Sequence, residues 1–457
     1  MEDAINGANT KNRPIHVVLV AGSRGWGNYR HQADVLHAYQ LAVSHGVPKS
    51  QIVLMAYDDI ANNPKNPRKG VVINAVNGPN VYKDVLIDYS GQDVTADNFL
   101  KIIKGDSKGL VGNGTGRVLM SGPHDHVFIF MSDHGSIGFF CFPVGVSTTL
   151  YVALAKKKNV VFPIYLTAPM LNNALIEMHQ KQKFGEMVIY IEACESGSMF
   201  TKLPTNIMVY ANTASNATEN SVACCYDKNV QAYTGDLYSV SWMKDSESRD
   251  IRKELLHTQY EATKNMTKAS HVSQYGLLPL SDFSVSDFQG HVLPQAVEDK
   301  LKKVEDKDSK GTSKVNENCP DNDVVDAREV PIFTEMYKLK DAKSLTEKEE
   351  IFKNLKKILT KRLTLINRAR AIFDSAIEYL EEFEKPSWEE SHVLRNEDCY
   401  FPVVNHVHTK CFDVVENEYS LEIFKKFVTL CERGVSPMLI HNAIEKHCVG
   451  EKLTNTV

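Results

Sequence analysis

The sequence has no apolar run approaching the roughly 20 residues that span a bilayer, so a membrane-crossing helix is not expected. It also lacks a basic stripe with interleaved aromatics, and a formal net charge of −5 argues against nucleic acid as a partner. No CxxC pair occurs, which weakens a zinc-ribbon reading. The glycine-rich segment Gly105 to Gly116 does not follow the GxxxxGK[ST] order, so it reads as a surface connection and not a phosphate loop. The first fourteen residues, MEDAINGANTKNRP, have no apolar h-region; a signal peptide is expected to be absent or already removed. What remains is a globular composition: 457 residues, 43% hydrophobic and 24% charged, long enough for two or three domains.

The chain is organised around MVIYIEACESGSM, Met187 to Met199. Met187 to Ile191 is apolar at every position, as in a parallel strand buried on both faces. The run stops at Cys194, and Glu195-Ser196-Gly197-Ser198 supplies turn chemistry. A second run of the same form, His126 to Met131, ends in Ser132-Asp133-His134-Gly135. If the two strands are neighbours, a thiol and an imidazole emerge at the same sheet edge, where open α/β sheets bind ligands. A Cys and His so placed are a candidate nucleophile and base.

Around these runs the pattern is α/β. Ile15 to Ala21 reads as a first buried strand, Ala33, Leu36, Tyr39 and Val43 as a helix ended by Gly46 and Pro48, and Gln51 to Tyr57 as a second strand. Thr95 can cap a short helix to Lys104, Thr167 and Pro169 start a helix over Leu171 to Gln182, and Asn206 to Asn212 holds a further strand. His16, inside the first strand, reads as a core histidine, and the vicinal Cys224-Cys225 as unpaired and structural. After Gly290 the composition turns polar: residues 291–341 read as a linker exposed to proteolysis. Helical periodicity then takes over in a long amphipathic stretch from Ile351 to Leu380, with shorter patterns at Leu421 to Cys431 and Pro437 to His447. The domains expected are 1–290, the linker 291–341 and a helical module 342–457.

Cys399, Cys411, Cys431 and Cys448 cluster in that module. They fit a disulfide-stapled unit in an oxidising compartment; with His406, His408, His441 and His447 among them, zinc is the alternative. Asn113, Asn216 and Asn265 open glycosylation sequons.

GWGNYRHQAD at Gly25 to Asp34, AYDDIA at Ala56 to Ala61, SDHGS at Ser132 to Ser136, EACESGSMF at Glu192 to Phe200 and SHVSQYG at Ser270 to Gly276 together form a signature. The chain closely resembles the legumain family of asparaginyl endopeptidases, and the resemblance runs its length. It implies a caspase-like α/β/α sandwich with a mainly parallel sheet and an α-helical prodomain, made as a zymogen without cofactor or metal. Cys194 would then be the nucleophile, His134 its partner, Asn28 the residue orienting the imidazole, and the N–H groups of Cys194 and Gly135 the oxyanion donors. Arg30, His31, Glu192, Ser221 and Asp236 match the substrate pocket. The resemblance pairs Cys399 with Cys431 and Cys411 with Cys448. It implies protein substrates, inhibition by the chain's own prodomain and by cystatin-type proteins, a monomer, and a lysosomal, vacuolar or secreted location. KLKDAKSL at Lys338 to Leu345 offers Asp341 as the activation cleavage site, with Asn322 the runner-up and Asn316 and Asn318 upstream. Asn220, Val222 and Arg24 depart from the family pattern on substrate-side loops.

An asparagine side chain presents one acceptor and one donor, so a selective pocket needs a cation or N–H at one end and a carboxylate at the other. A charged aspartate is rejected by that carboxylate and accepted once protonated, which predicts Asp cleavage below about pH 5. Competing readings are a peptide ligase using the same thioester and a non-catalytic binding protein built on the helical module.

Overall fold

The computed structural model describes residues 13–144, 165–299, 319, 323–414 and 417–450. Asn316, Asn318 and Asn322 lie outside them. Strand β1 (Ile15–Ala21) is central and buried along its length. Its alternate side chains feed opposite cores: Val17, Leu19 and Ala21 pack on one face, Val18 and Val20 on the other. Apolar residues at every position but His16 are what a strand covered on both faces requires.

Helix α1 (Tyr29–Ser44) carries the chain to β2 (Ile52–Met55), parallel to β1. Helix α2 (Ala96–Lys104) starts at Thr95, whose hydroxyl accepts from Asn98 N, and ends at Gly105 with φ 73°, the left-handed geometry that closes a helix. Strand β3 (His126–Ser132) pairs parallel with the other side of β1. Strands β4 (Gly135–Ser136), β5 (Phe139–Cys141) and β6 (Tyr165–Thr167) make a small antiparallel sheet. Helix α3 (Ala168–Gln180), β7 (Glu186–Glu192) and β8 (Val209–Thr213) follow, then the hairpin β9 (Val222–Asp227) and β10 (Ala232–Asp236). Helices α4 (Leu237–Ser248) and α5 (Leu256–Met266) precede β11 (Ser273–Gly276).

The main sheet runs β11-β8-β7-β3-β1-β2, parallel except for β11. Residues of α1, α4 and α5 cover one face, and residues of α2 and α3 the other. This is the α/β/α sandwich expected. His16 is buried in β1, its Nε2 3.2 Å from Asp125.

Sequence periodicity missed α4 because Tyr238, Ser239, Trp242, Met243 and Ser246 bury it on several sides, which leaves no single apolar stripe. The segment 291–341 read as a linker also contains structure. Strand β12 (Val325–Asp326) pairs antiparallel with β9, and helix α6 (Val330–Asp341) follows it. A two-residue strand held by main-chain bonds leaves no side-chain pattern, and α6 rests Val330, Phe333 and Tyr337 on Tyr226 and Tyr233. Cys225, read as unpaired, is bonded to Cys319, while Cys224 is a free thiol beside it.

Helix α7 (Leu345–Ala376) opens with a capping box between Ser344 and Glu347. Helices α8 (Glu397–Lys410), α9 (Ser420–Glu432) and α10 (Pro437–His447) complete the module. Pro402 and the β-branched Val403, Val404 and Val407 hid α8, whose packing overrides weak propensity. Disulfides join Cys399 to Cys431 and Cys411 to Cys448. Those sulfurs are therefore not free to hold zinc, and His406 instead stacks on His441 at 4.6 Å and reaches Glu445 at 3.0 Å. Ile137, Phe139 and Tyr165 of the β4–β6 region enter the module's core, so the module is seated on the sandwich through apolar contact.

Candidate active site

Strands β3 and β7 are hydrogen-bonded neighbours, with Ser132 opposite Glu192. Each chain runs just past its strand to deliver His134 and Cys194. Asp133 N donates to Glu192 O at 3.0 Å, so the two turns leave the sheet together. Gly135 lies against the second turn: a Cβ there would sit 2.6 Å from Cys194 O, and a side chain would force the turns apart. Glu195 adopts the left-handed conformation at φ 50°, fixed by its N–H donating to Glu219 O at 2.7 Å.

Cys194 is 1% exposed. Its Sγ receives Ser221 N at 3.4 Å and lies 3.8 Å from Ser221 Oγ. Burial pushes the thiol up to about 12, against a lowering by Arg328. The Nε2 of His134 is 2.9 Å from Asn28 Oδ1, and the amide of Asn28 donates to Arg24 O at 3.2 Å. Asn28 Oδ1 can only accept, so Nε2 carries the hydrogen and Nδ1, which has no partner, keeps its lone pair. Burial lowers the pKa of His134, and His31 stacks edge-on against it at 4.7 Å.

Arg30 lies beneath this edge, fully buried, with Nε donating to Asp236 Oδ1 at 2.9 Å. Its Nη2 has no partner. Glu192 accepts through Oε2 from Ser239 N and Oγ at 3.1 and 3.0 Å, while Oε1 has no partner. Asp34 accepts from Asn74 Nδ2 at 2.7 Å and from Asp236 N at 3.3 Å. Burial and the crowding of Asp34, Glu192 and Asp236 raise the pKa of Asp34 and of Glu192; burial also raises Asp236, opposed by Arg30. His31 Nδ1 is 2.7 Å from Ser23 Oγ, and burial holds its pKa well below the ordinary value.

Two groups from outside the sandwich close the edge. Glu418, between α8 and α9, places Oε2 3.2 Å from His134 Nε2 and accepts from Asn28 Nδ2 through Oε1. Burial pushes its carboxyl up, but His134, Arg30 and Asn28 outweigh this and hold it at about 2. Arg328, between β12 and α6, donates to Gly135 O and lies 3.3 Å from Glu195 Oε2. Lys425 of α9 pairs with Glu195 Oε1 at 2.7 Å, and burial leaves Glu195 at about 7. A cavity lies away from this edge. It is a surface hollow of about 410 Å³ whose lining includes Tyr226, Asp227, Tyr337 and Asp341.

Residues 15–291 match the model of the Peptidase C13 family. The chain belongs to that family. This C13 chain is 39% identical to the legumain of Mus musculus over 435 residues, 95% of this chain and 92% of that one. It is 39% identical to the legumain of Homo sapiens over 437 residues, 95% and 93% of the two chains. The vacuolar-processing enzyme of Vicia sativa is 34% identical over 436 residues, 92% and 82% of the two. The C13 chain is thus a cysteine endopeptidase.

The structure brings Cys194, His134, Asn28 and Gly135 to one edge of this C13 sandwich, with Arg30, His31, Glu192, Ser221 and Asp236 beside them. Asp341 is the last residue of α6, at the surface hollow. Asn265 is exposed; Asn113 and Asn216 are partly buried, and Asn216 Oδ1 accepts from Thr218 N at 2.9 Å. Arg328, Glu418 and Lys425 carried no sequence signal, since each acts across a contact with a remote segment. Glu195 stood inside EACESGSMF without an assigned part.

Proposed function

We propose that the chain is the latent form of an endopeptidase that cleaves after asparagine through a thioester at Cys194. One observation carries the specificity: a buried cation with a free donor, Arg30 Nη2, and a buried carboxyl with a free acceptor, Glu192 Oε1, stand beside the thiol. Those are the complements of an asparagine side chain's carbonyl and amide. An ionised aspartate would add negative charge beside Glu192, Asp236 and Asp34, so it is admitted only when protonated.

In the mechanism, His134 Nδ1 takes the Cys194 proton while Asn28 holds the Nε2 hydrogen. Sulfur attacks the peptide carbonyl, and the N–H groups of Cys194 and Gly135 hold the developing oxyanion. The leaving amine takes the proton from His134, and water then hydrolyses the thioester. In the closed form, Glu418 occupies the outer side of the His134–Asn28 pair, so residues 342–457 act as the inhibitory prodomain. Acid opens it because the ionised Glu418 is favoured in the closed state. Cleavage at Asp341, or at Asn322, separates the units. The likeness to the vacuolar-processing enzyme of Vicia sativa, together with the disulfides, supports a lysosomal or vacuolar setting; protein substrates and cystatin-type inhibitors are the partners that the resemblance to legumains implies.

Fluorogenic peptides ending in Asn or Asp before the reporter test this across about pH 4 to 7. Asn cleavage after acid exposure, Asp cleavage confined to below about pH 5, and no cleavage by Cys194→Ala are expected. Equal Asn and Asp rates at neutral pH would remove the pocket argument.

A further inference from the structure

The three disulfides divide the chain unevenly. Cys399–Cys431 and Cys411–Cys448 both lie inside the helical module. Cys225–Cys319 instead ties β9 of the sandwich to the segment before β12, across a sequence separation of 94. No disulfide among the described residues links the module to the sandwich, so a cut after Asp341 leaves the module held by non-covalent contact alone. Cys319 and residues 323–341 are held differently.

That segment is docked on the sandwich at several points. Val325 and Asp326 pair with Ala223 and Val222. Asp323 accepts from Tyr226 N at 2.6 Å, and Tyr337 stacks on Tyr226 at 4.4 Å and 16°. Ala327 N donates to Ser221 O at 3.0 Å, which sets the next residue beside the thiol. Arg328, 3% exposed, puts its guanidinium on Gly135 O and Glu195. These are the backbone of the His134 turn and the side chain next to Cys194. Glu418 and Arg328 thus close the edge from two segments that are continuous through residues 342–344 until a cut after Asp341, and that also touch through Arg362 on Glu329 at 2.7 Å and on Arg328 O.

We propose that residues 323–341 are a second inhibitory strap, kept on the catalytic unit by Cys225–Cys319 after the helical module leaves, so that full opening needs reduction of that disulfide as well as proteolysis. This rests on the reading of Cys194 as nucleophile and of the module as inhibitor. A cut at Asn316 or Asn318 would otherwise free the strap from the sandwich; the disulfide prevents it. Even with that stretch uncut, a pin nine positions before Arg328 keeps its local concentration high. Release takes a dithiol, which gives two electrons and two protons to the Cys225–Cys319 bond, leaves two thiols, and is itself oxidised to a disulfide. A cut at Asn322 would bypass the device, because it falls between Cys319 and Arg328.

The test uses full-length protein, acid-processed and cleared of the module, without reductant. Mass spectrometry under non-reducing conditions reads whether 319–341 stays bonded. The rate of Cys194 alkylation by iodoacetamide at neutral pH reads whether the edge is covered, independently of substrate choice. The expectation is a retained strap in the wild type, and alkylation at least about tenfold faster in the Cys225→Ser/Cys319→Ser double variant, from loss of the charge-assisted contacts of Arg328. Arg328→Ala should retain the strap and still show the faster alkylation, which covers a double variant that folds poorly. A strap lost from non-reduced wild type, or equal alkylation rates in wild type and Arg328→Ala, would overturn the proposal. Fast alkylation with no Asn cleavage by any form would sink the proposed function and leave the strap standing.

Discussion

Glu418→Gln isolates the charge that closes the site. Glutamine keeps an oxygen for Asn28 and removes only the carboxylate, so the change should not unseat the apolar packing of the module. The folded carboxyl is held at about 2 against an ordinary 4.5. At roughly 1.4 kcal/mol per tenfold, that difference favours the ionised closed state by about 3 kcal/mol. The side chain is 25% exposed, and screening trims the effect to about 2 kcal/mol, or roughly 30-fold in the open fraction. The sign follows from a depressed pKa: the stabilisation is fully present above the ordinary carboxyl value and is lost as pH falls from 4.5 toward 2. The variant should therefore cleave an Asn peptide roughly 30-fold faster than wild type at pH 7 while still a single chain, as shown by a gel at the end of the assay. Over longer incubation its self-processing should set in at a higher pH than in wild type and rise less steeply below about pH 4.5. A variant as latent as wild type at pH 7, with the same pH profile, would refute the role of Glu418.

Asn28→Ala removes the acceptor that holds the His134 Nε2 hydrogen; in module-free enzyme kcat should fall by about 10- to 100-fold with KM little changed, and an equal fall in binding would contradict the orienting role. Glu192→Leu leaves an asparagine amide without its acceptor, so kcat/KM for Asn peptides should drop by at least about 100-fold, and a loss below about threefold would place the specificity elsewhere.

The parts legible in the sequence are those the main sheet imposes. The apolar runs Val17 to Ala21, Val127 to Met131 and Met187 to Ile191 became neighbouring parallel strands, because strands covered on both faces leave almost no place for polar residues. The turns that follow two of them then had to share an edge, which is why Cys194 and His134 emerge together. Contacts made across long separations left no such trace. Arg328 meets Gly135, and Glu418 meets His134, through packing that no local period encodes. The pairing of Cys225 with Cys319 was hidden for the same reason: adjacent cysteines look like a unit, while the partner lies in a segment read as linker.

The most direct test of the central claim is intact-mass analysis of acid-activated enzyme quenched during turnover of an Asn peptide, with the adduct mapped by digestion. The account predicts an acyl group on Cys194, removable by hydroxylamine as a thioester is, and absent from Cys194→Ala, which does not turn over. Turnover that persists in Cys194→Ala, or an acyl group mapped to another residue, would contradict it.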